Sequence, residues 1–374
     1  MKYYDVANLI KSYPKAHYYV VFGERSNGKT YSALKYALER NVALGEQFAY
    51  LRRMGEDIRK SELMQLFSAH ESENFISTLT GGEWMRVVIV NKRFYFERTE
   101  INESSQTKPE KIIRSEEPIG FAFDLNSMEH YKSISFPKIR TVIFDEFLSR
   151  TGYLPNEFLL FTNTLSTIIR QRDDVKIIML GNTVSKYCPY FSEMGLTHIK
   201  QQVQGTIDVY NYGNSKLQVV VEYTESSSTR GGKKSDIYFA FDNPELKMIT
   251  SGSWEIAIYP HLEIKYRPKD VACNFFIEFD REIIHGELVY LETGPFIFFH
   301  RKTTPIKDET RDIVYTTRNS QRYNYKMGLT KHSDKLSTTI IKLLRENRAF
   351  YSENEVGEIV RNYLKWSISY SMLE

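Results

Sequence analysis

Gly23-Glu24-Arg25-Ser26-Asn27-Gly28-Lys29-Thr30 is the stretch that decides the fold of this chain. It fits the pattern Gly-x4-Gly-Lys-Thr without a mismatch. A β-branched and aromatic run at 17–22 precedes it, and apolar residues at helical spacing follow it as far as Gly45. A glycine-containing turn between a strand and a helix aims backbone N–H groups at phosphate oxygens. The segment therefore predicts an α/β nucleotide fold with a phosphate-binding loop.

Three side chains of this loop have chemistry suited to a nucleotide. Lys29 would reach the β- and γ-phosphates of ATP, and the Thr30 hydroxyl would bind Mg²⁺. Arg25 is a further candidate, either for phosphate contact or for signalling between subunits. The whole loop from Gly23 to Thr30 is the predicted ATP site.

An acidic pair follows a second apolar run, Thr141-Val142-Ile143-Phe144. Continuous apolar runs are typical of strands buried in a parallel sheet. Asp145 would hold Mg²⁺ together with Thr30, as a Walker B aspartate does. Glu146 is placed to orient or deprotonate the attacking water, which makes it a predicted catalytic residue together with Lys29. The alternative is a strand that simply ends in an exposed acidic turn.

Polar and basic residues near the ends of other predicted strands are further candidates. Asn182 could sense the γ-phosphate, or it could cap a turn. Arg170 could serve as an arginine finger for a neighbouring subunit, or it could join Arg172 in a solvated salt-bridge cluster. Arg52 and Arg53 could contact nucleotide, DNA or a neighbouring subunit.

The length of 374 residues predicts two domains. We place a P-loop ATPase domain of the ASCE type, with a parallel sheet, at 1–200. A connector follows at 201–250, and a smaller α+β domain that binds nucleic acid or a portal occupies 251–374.

Local patterns predict the secondary structure between these landmarks. The first domain should contain a helix at 55–70, a hairpin at 85–98 that turns at Asn91-Lys92, and a polar loop at 100–117. The small, polar and basic segment 225–234 is predicted to be a mobile loop. Beyond the first domain, strands are predicted at 205–212, 216–224, 254–259, 273–280, 287–292 and 295–300, with turns at Gly286 and Gly294, and helices at about 331–348 and 353–370.

Composition excludes several classes of protein. Only two cysteines occur, Cys188 and Cys273, so a disulfide framework and a cysteine-rich zinc module are excluded. The amino terminus lacks the apolar run of a signal peptide. No stretch reaches the roughly 18 consecutive apolar residues of a membrane span. We expect a soluble intracellular protein without a membrane partner.

The basic residues are concentrated in one part of the chain. Residues 301–348 contain twelve Lys or Arg against five acidic residues, whereas the whole chain carries a net charge of +3. Tyrosines are interleaved among them. Such a strip suits the phosphate backbone of DNA or of a structural RNA, bound without sequence specificity. A solvated basic face is the alternative.

Several segments occur together in an order that resembles one family, the DNA-encapsidation ATPases of small short-tailed phages, with packaging motors of the phi-twenty-nine type. The resemblance covers about residues 18–195, and its Gly-Glu-Gln-Phe and Phe-Asp-Glu-Phe tetrads are not general features of P-loop proteins. The segments that carry it are Gly23–Thr30, Gly45–Arg53, Thr141–Phe147, and Asn182-Thr183-Val184-Ser185 followed by Pro189-Tyr190-Phe191.

The resemblance implies an ATP-driven motor that works as a pentameric ring at the portal vertex of a procapsid, in the host cytoplasm. It would drive double-stranded viral DNA inward, and a structural packaging RNA links the ring to the capsid in the best-known case. Arg170 falls where the family carries its trans-acting finger, and Lys132 where it carries a lysine that acts between subunits. The C-terminal domain of the family resembles an RNase H-like nuclease that has lost its catalytic acids.

The predicted first strand of the C-terminal domain nevertheless carries acids. Two-metal nucleases need three or four carboxylates around ions about 4 Å apart, and Glu278 and Asp280 share a face at strand periodicity. Surface acids on a meander are one interpretation, and a terminase- or helicase-like translocase with an active nuclease is another. For the whole protein, a further alternative is a nucleotide-gated clamp that binds ATP without useful turnover, and the presence of Glu146 argues against it. The further acids of this region show no recognisable spacing: Glu282, Glu287 and Glu292.

Overall fold

The computed structural model describes residues 3–101, 110–127, 131, 133–150, 152–225, 254, 257–304, 306, 308 and 311–371. The chain divides into two compact units. The first unit contains Met1–Leu148, Phe158–Val184 and His198–Trp254. The second contains Ser149–Glu157, Ser185–Thr197 and Glu255–Glu374.

The first unit is built on a ten-stranded sheet. Its strands are β1 (Tyr18–Gly23), β2 (Gln47–Arg52), β3 (Arg86–Val90), β4 (Arg93–Ile101), β5 (Glu110–Arg114), β6 (Gly120–Asp124), β7 (Ile139–Asp145), β8 (Lys176–Asn182), β9 (Ile207–Asn211) and β10 (Gln218–Tyr223). They lie in the order β3-β4-β6-β2-β7-β8-β1-β10-β9, with β5 also paired to β4. The strands from β6 to β10 in this order are parallel, and the outer strands are antiparallel to their neighbours.

The helices of the first half of the chain are α1 (Val6–Ser12), α2 (Lys29–Leu44), α3 (Lys60–Met64), α4 (Ser68–Ser72), α5 (Phe75–Leu79), α6 (Glu157–Ile169) and α7 (Pro189–Glu193), with a 3₁₀ turn at Gly55–Ile58. Helix α2 ends where Gly45 adopts a left-handed conformation, with φ of 68°. Apolar runs form the central strands because both faces are covered. In β1, for example, every residue after Tyr18 is buried.

The second unit contains a six-stranded mixed sheet. Strands β11 (Val271–Phe279), β12 (Glu282–Leu291) and β13 (Gly294–Arg301) form an antiparallel meander. Strands β14 (Ile313–Thr316), β15 (Tyr325–Met327) and β16 (Ala349–Tyr351) complete the sheet in the order β15-β14-β11-β12-β13-β16. Strand β14 is parallel to β11 and β15 is parallel to β14. RNase H-like sheets have this arrangement, in which three antiparallel strands are followed by two strands parallel to the first. The family resemblance implies a sheet of this kind in the C-terminal domain.

One face of this second sheet carries a buried apolar core. Helices α8 (Lys335–Arg345) and α9 (Asn354–Ser371) contribute to it, and so does Tyr187. Two 3₁₀ turns, Pro268–Asp270 and Leu329–Lys331, connect the remaining segments. Among the described residues, no helix has the length and apolar character needed to cross a membrane.

The structure corrects several predictions for the first half of the chain. The segment 100–117 is not entirely a loop, because β4 continues to Ile101 and β5 pairs with it. The helix predicted at 55–70 is broken into three short helices, and β6 was not predicted. The range 201–250 was interpreted as a connector, yet its strands β9 and β10 extend the first sheet, with β10 parallel to β1.

Other corrections concern the second half. The described part of 254–259 forms no strand. Gly286 does not mark a turn but lies within β12, where a Cβ atom would approach Phe275 to 2.3 Å. The turn falls instead at Asp280-Arg281, where both residues have positive φ. Strands β14 to β16 were not predicted. The predicted loop 226–234 and Lys132 lie outside the described residues.

Candidate nucleotide-binding site

The loop Gly23–Thr30 connects the carboxyl end of β1 to the first turn of α2. Gly23 has φ of 155° and Gly28 has φ of 89°, and residues that carry a Cβ atom rarely adopt these values. A Cβ atom on Gly23 would also lie only 2.1 Å from Oγ1 of Thr224. Gly28 is the N-cap of α2, so the positive end of the helix begins at the loop. The loop thus has the backbone form of an anion cradle.

Lys29 is held inside this loop. Its ammonium donates to the carbonyl oxygen of Glu24 at 2.6 Å, to Oδ1 of Asn27 at 3.1 Å and to Oδ1 of Asn182 at 3.3 Å. The side chain is almost fully buried, with only 6% of the residue exposed. Asn182 reaches it because β8 lies beside β1 and pairs Asn182 with Gly23. The structure therefore brings together two residues that lie 153 positions apart.

Thr30 and Asp145 also meet at this edge of the sheet. The Thr30 hydroxyl lies 3.2 Å and 3.1 Å from the two carboxylate oxygens of Asp145. The hydroxyl of Tyr50 donates to Oδ2 of the same carboxylate at 2.9 Å. Burial raises the pKa of Asp145, and the positive charge of Arg52 opposes that rise. A buried carboxylate beside a hydroxyl is an oxygen donor set of the kind that Mg²⁺ prefers.

Glu146 occupies an unusual backbone position directly after β7. Its φ is 57°, a left-handed conformation that non-glycine residues adopt infrequently. Its carboxylate accepts a hydrogen bond from Nη2 of Arg52 at 2.7 Å, while just over half of the side chain remains exposed. The neighbouring Arg53 donates instead to the backbone oxygens of Glu146 and Phe147. The two arginines at the end of β2 thus hold the segment that carries Glu146.

Arg170 does not join the residues at the P-loop. Helix α6 carries the chain back from the carboxyl end of β7 to the amino end of β8, so Arg170 lies at the opposite edge of the sheet. It is exposed and donates to the carbonyl oxygen of Ile134 at 3.0 Å. Arg172 is used differently, because its guanidinium donates to five backbone carbonyl oxygens, those of Phe136, Pro137, Ile139, Ile168 and Ile169.

Several residues that support the loop were missed by sequence analysis. Thr224, which follows β10, accepts a hydrogen bond from the Asn27 side chain at 3.0 Å. The backbone N–H of Tyr4 donates to the carbonyl oxygen of Asn27, and the Tyr4 hydroxyl donates to Glu222. These contacts join distant segments, and no local motif marks them. Arg25 and Ser26 are the exposed residues at the tip of the loop.

The strand order defines the class of this fold. Strand β8, which ends at Asn182, is inserted between the P-loop strand β1 and the strand β7 that ends at Asp145. An extra strand at this position, with a glutamate after the Walker B aspartate, distinguishes the ASCE class of P-loop ATPase folds. Within that class the chain belongs to the family of podovirus DNA encapsidation proteins (Gp16), whose model matches residues 1–236.

Individual relatives agree with this assignment. The DNA packaging proteins of Bacillus phages phi29 and PZA are each 28% identical to the chain over 225 residues, which is 58% of this chain and 57% of the relative. The chain therefore matches little more than half the length of these curated relatives. Residues 1–236 account for about three fifths of the 374 residues.

Solved structures extend the likeness in fold to nearly the whole chain. The Phi-28 gp11 DNA packaging motor has a TM-score of 0.54 at 17% identity, with 97% of each chain covered. The bacteriophage Phi-29 viral genome packaging motor assembly has a TM-score of 0.54 at 19% identity, covering 99% of this chain and 98% of that one. Both units of the chain thus share their fold with packaging motors.

Proposed function

We propose that this chain is an ATP-driven motor that moves double-stranded viral DNA into a procapsid. The observation that carries the proposal is that four polar side chains meet at one edge of the parallel sheet: Lys29 contacts Asn182, and Thr30 contacts Asp145. Glu146 follows Asp145 directly in the sequence. Membership of the encapsidation family supports DNA as the cargo. The motor would work as a pentameric ring at the portal, in the host cytoplasm, with a structural RNA as a further partner.

Each residue of the site has a distinct role in the proposed hydrolysis. The loop Gly23–Thr30 binds the phosphates through its backbone N–H groups and through Lys29. Thr30 and Asp145 would hold Mg²⁺, which supplies charge neutralisation at the phosphates when bound. Glu146 orients the attacking water or accepts its proton once its carboxylate leaves Arg52. Asn182 contacts Lys29 and is placed to report the loss of the γ-phosphate.

The position of Arg170 supports a shared site. Arg170 lies at the opposite edge of the sheet from its own P-loop, and this separation favours a role at the ATP site of a neighbouring subunit. An arginine finger supplied in trans contributes about 10³- to 10⁵-fold in rate in other P-loop enzymes. An isolated subunit should therefore hydrolyse ATP slowly.

DNA contact is proposed for the exposed part of the basic strip. Arg301 is excluded, because it is paired with three glutamates, Glu282, Glu353 and Glu355. The loop between β14 and β15 is more suitable, since Arg318 and Arg322 are exposed and Tyr323 is 81% exposed. Arginines bind backbone phosphates whatever the base sequence, so this loop can hold DNA of any sequence.

Steady-state ATPase measurements with and without DNA test the enzymatic part of the proposal. Lys29→Ala and Glu146→Gln should each reduce the DNA-stimulated rate by about 10²-fold or more. The matched control is Lys35→Ala, which removes another lysine of α2, one that forms an exposed pair with Glu39. Rates of Lys29→Ala or Glu146→Gln equal to wild type would exclude the catalytic assignment. Binding of ATP with no turnover under any condition would instead favour the nucleotide-gated clamp.

A terminase-like translocase with an active nuclease is the alternative function. Nicking of plasmid DNA with Mn²⁺, abolished by Asp280→Ala, would support it. We expect no nicking. In the described residues, Glu278 and Asp280 belong to no group of three or more residues that could hold a metal.

A further inference from the structure

Three metal-binding side chains share one face of the second sheet. His285 and Glu287 lie two positions apart on β12, and His300 of β13 lies directly across from His285. Alternation along the strands places all three on the face opposite the core, because their neighbours Ile284 and Leu288 are core residues. One ligand atom from each residue lies within 4.8 Å of those of the other two. No other group of this kind occurs in the described residues.

Each of the three side chains is held by a neighbour through the atom that it does not need for a metal. Nε2 of His285 donates to Oδ1 of Asn274 at 2.9 Å, which leaves the Nδ1 lone pair free. Nδ1 of His300 donates to the backbone oxygen of Arg301 at 3.1 Å, which leaves Nε2 facing Glu287. This second layer of hydrogen bonds is the arrangement that fixes ring tautomers in metal sites.

Glu287 is positioned in the same way. The hydroxyl of Tyr266 donates to its Oε2, which leaves Oε1 directed at Nε2 of His300, 3.9 Å away. The ring of Tyr266 packs edge-on against Phe296 and Phe298, so its hydroxyl has a fixed position. Atoms that bind one ion tetrahedrally at about 2.1 Å lie about 3.4 Å apart. A small side-chain rotation would bring the pair to this separation.

The charges of the cluster suit a cation. The cluster offers one carboxylate and two imidazole rings, and each ring already uses one of its nitrogens in a hydrogen bond to a neighbour. A neutral imidazole and an ionised carboxylate are the forms that bind metals.

We propose that His285, Glu287 and His300 bind a divalent transition-metal ion, with Zn²⁺ as the best-suited probe. Two imidazoles and one carboxylate form a ligand set that suits zinc and leaves a coordination position open for water or a ligand oxygen. The site lies in the second unit and uses no residue of the P-loop, so it is independent of the proposed ATPase. In the sequence only Glu287 stands out, as one of several acids, because the second histidine comes from the next strand.

Isothermal titration of the full chain, prepared without a histidine tag and without nucleotide, tests the site with Zn²⁺. We expect one equivalent to bind, and His285→Asn or His300→Asn to weaken binding by at least tenfold. His198→Asn is the matched control, because His198 pairs with Asp208 at 2.7 Å and, in the described part of the chain, belongs to no such group of three. Asp145→Asn should leave the zinc affinity unchanged, which separates this site from the P-loop.

A conservative variant guards against misfolding. Tyr266→Phe keeps the ring but removes the hydrogen bond to Glu287, and loss of such an outer partner typically weakens metal affinity by about 10- to 100-fold. Co²⁺ provides a second readout, since histidine-bound Co²⁺ should give visible absorption bands that are lost in the His285→Asn variant. If wild type binds no stoichiometric Zn²⁺, or binds it as tightly after His285 and His300 are both replaced, the cluster is only a histidine–carboxylate pair and the proposal is wrong.

Discussion

Nη2 of Arg52 lies 2.7 Å from Oε2 of Glu146, so the glutamate that follows the Walker B strand is paired with an arginine of the adjacent strand β2. In this arrangement the carboxylate is occupied by a guanidinium. Activation would require the pair to separate, and Arg52 would then be a restraint on hydrolysis. The sequence suggests that Arg52 contacts nucleotide, DNA or a neighbouring subunit, whereas in the structure it forms an ion pair with Glu146.

We predict that Arg52→Gln raises ATP hydrolysis in the absence of DNA by about two- to five-fold, which corresponds to the loss of an ion pair worth up to about 1 kcal/mol. Arg59→Gln is the control, because Arg59 forms an exposed pair with Glu56. Rates should be measured at saturating ATP. A fall in rate accompanied by weaker ATP binding would mean that Arg52 contacts the nucleotide instead.

Mixed rings test the role of Arg170. Neither Arg170→Ala nor Glu146→Gln subunits should hydrolyse ATP well alone. A mixture should recover part of the activity, because a Glu146→Gln subunit can lend its intact Arg170 to the complete site of an Arg170→Ala neighbour. Arg172→Ala is a poor substitute for this test, since Arg172 holds backbone carbonyls. Mixtures that stay as inactive as the parents would indicate a role for Arg170 within its own subunit.

The exposed loop between β14 and β15 should contribute to DNA affinity. Replacing Arg318 and Arg322 with Gln should weaken binding of double-stranded DNA equally for all sequences. It should also reduce the slope of log affinity against log salt concentration by about 0.9 for each phosphate that the protein no longer neutralises. Fluorescence anisotropy across a salt series measures both. As a control, Lys342→Gln removes a basic residue that is paired with Glu346. An unchanged slope would place the DNA-binding surface elsewhere.

Gly286 should contribute to the stability of the second sheet. Gly286→Ala would bring a Cβ atom to 2.3 Å from the ring of Phe275, so either the ring or the strand must move. We expect a loss of about 1–3 kcal/mol in the free energy of unfolding, measured by denaturant titration. Gly55→Ala is the control, since its Cβ would meet only ordinary contacts at 3.8 Å. Equal stability of the two variants would contradict the close packing of Phe275 against β12.

The pH dependence of stability should involve His70. Burial lowers the pKa of His70 to about 4, with Glu73 and Lys35 as the nearby charges. The unfolded chain takes up this proton as the pH falls through about 6.5, but the folded chain does so only near pH 4. Stability is therefore lost across this interval, by about 2 kcal/mol between pH 7 and pH 5.

His70→Gln should remove that part of the pH dependence. Urea titrations at both pH values give the comparison. A wild-type pH dependence that persists in His70→Gln would show that other groups are responsible.

The amino-acid sequence by itself determined the local parts of the ATP site. A glycine-rich loop, a lysine, a hydroxyl and an acidic pair after an apolar run are recognisable because backbone conformation and strand burial restrict the residues allowed there. The hairpin at Asn91-Lys92 was predicted for the same reason, and both residues have positive φ. Short strands such as β5 and β14 were missed, because they have too few residues for a clear pattern.

Only the tertiary structure decided which of these parts meet. Asn182 contacts Lys29 because β8 is inserted beside β1, and Arg52 contacts Glu146 because β2 lies next to β7. Local pattern marks Gly286 as a turn residue, whereas the packing of Phe275 opposite it explains why glycine is needed there. The histidine–glutamate cluster depends on the register between β12 and β13. Local spacing predicts elements, but strand order and register place side chains from distant segments together, and these are set by packing of the whole sheet.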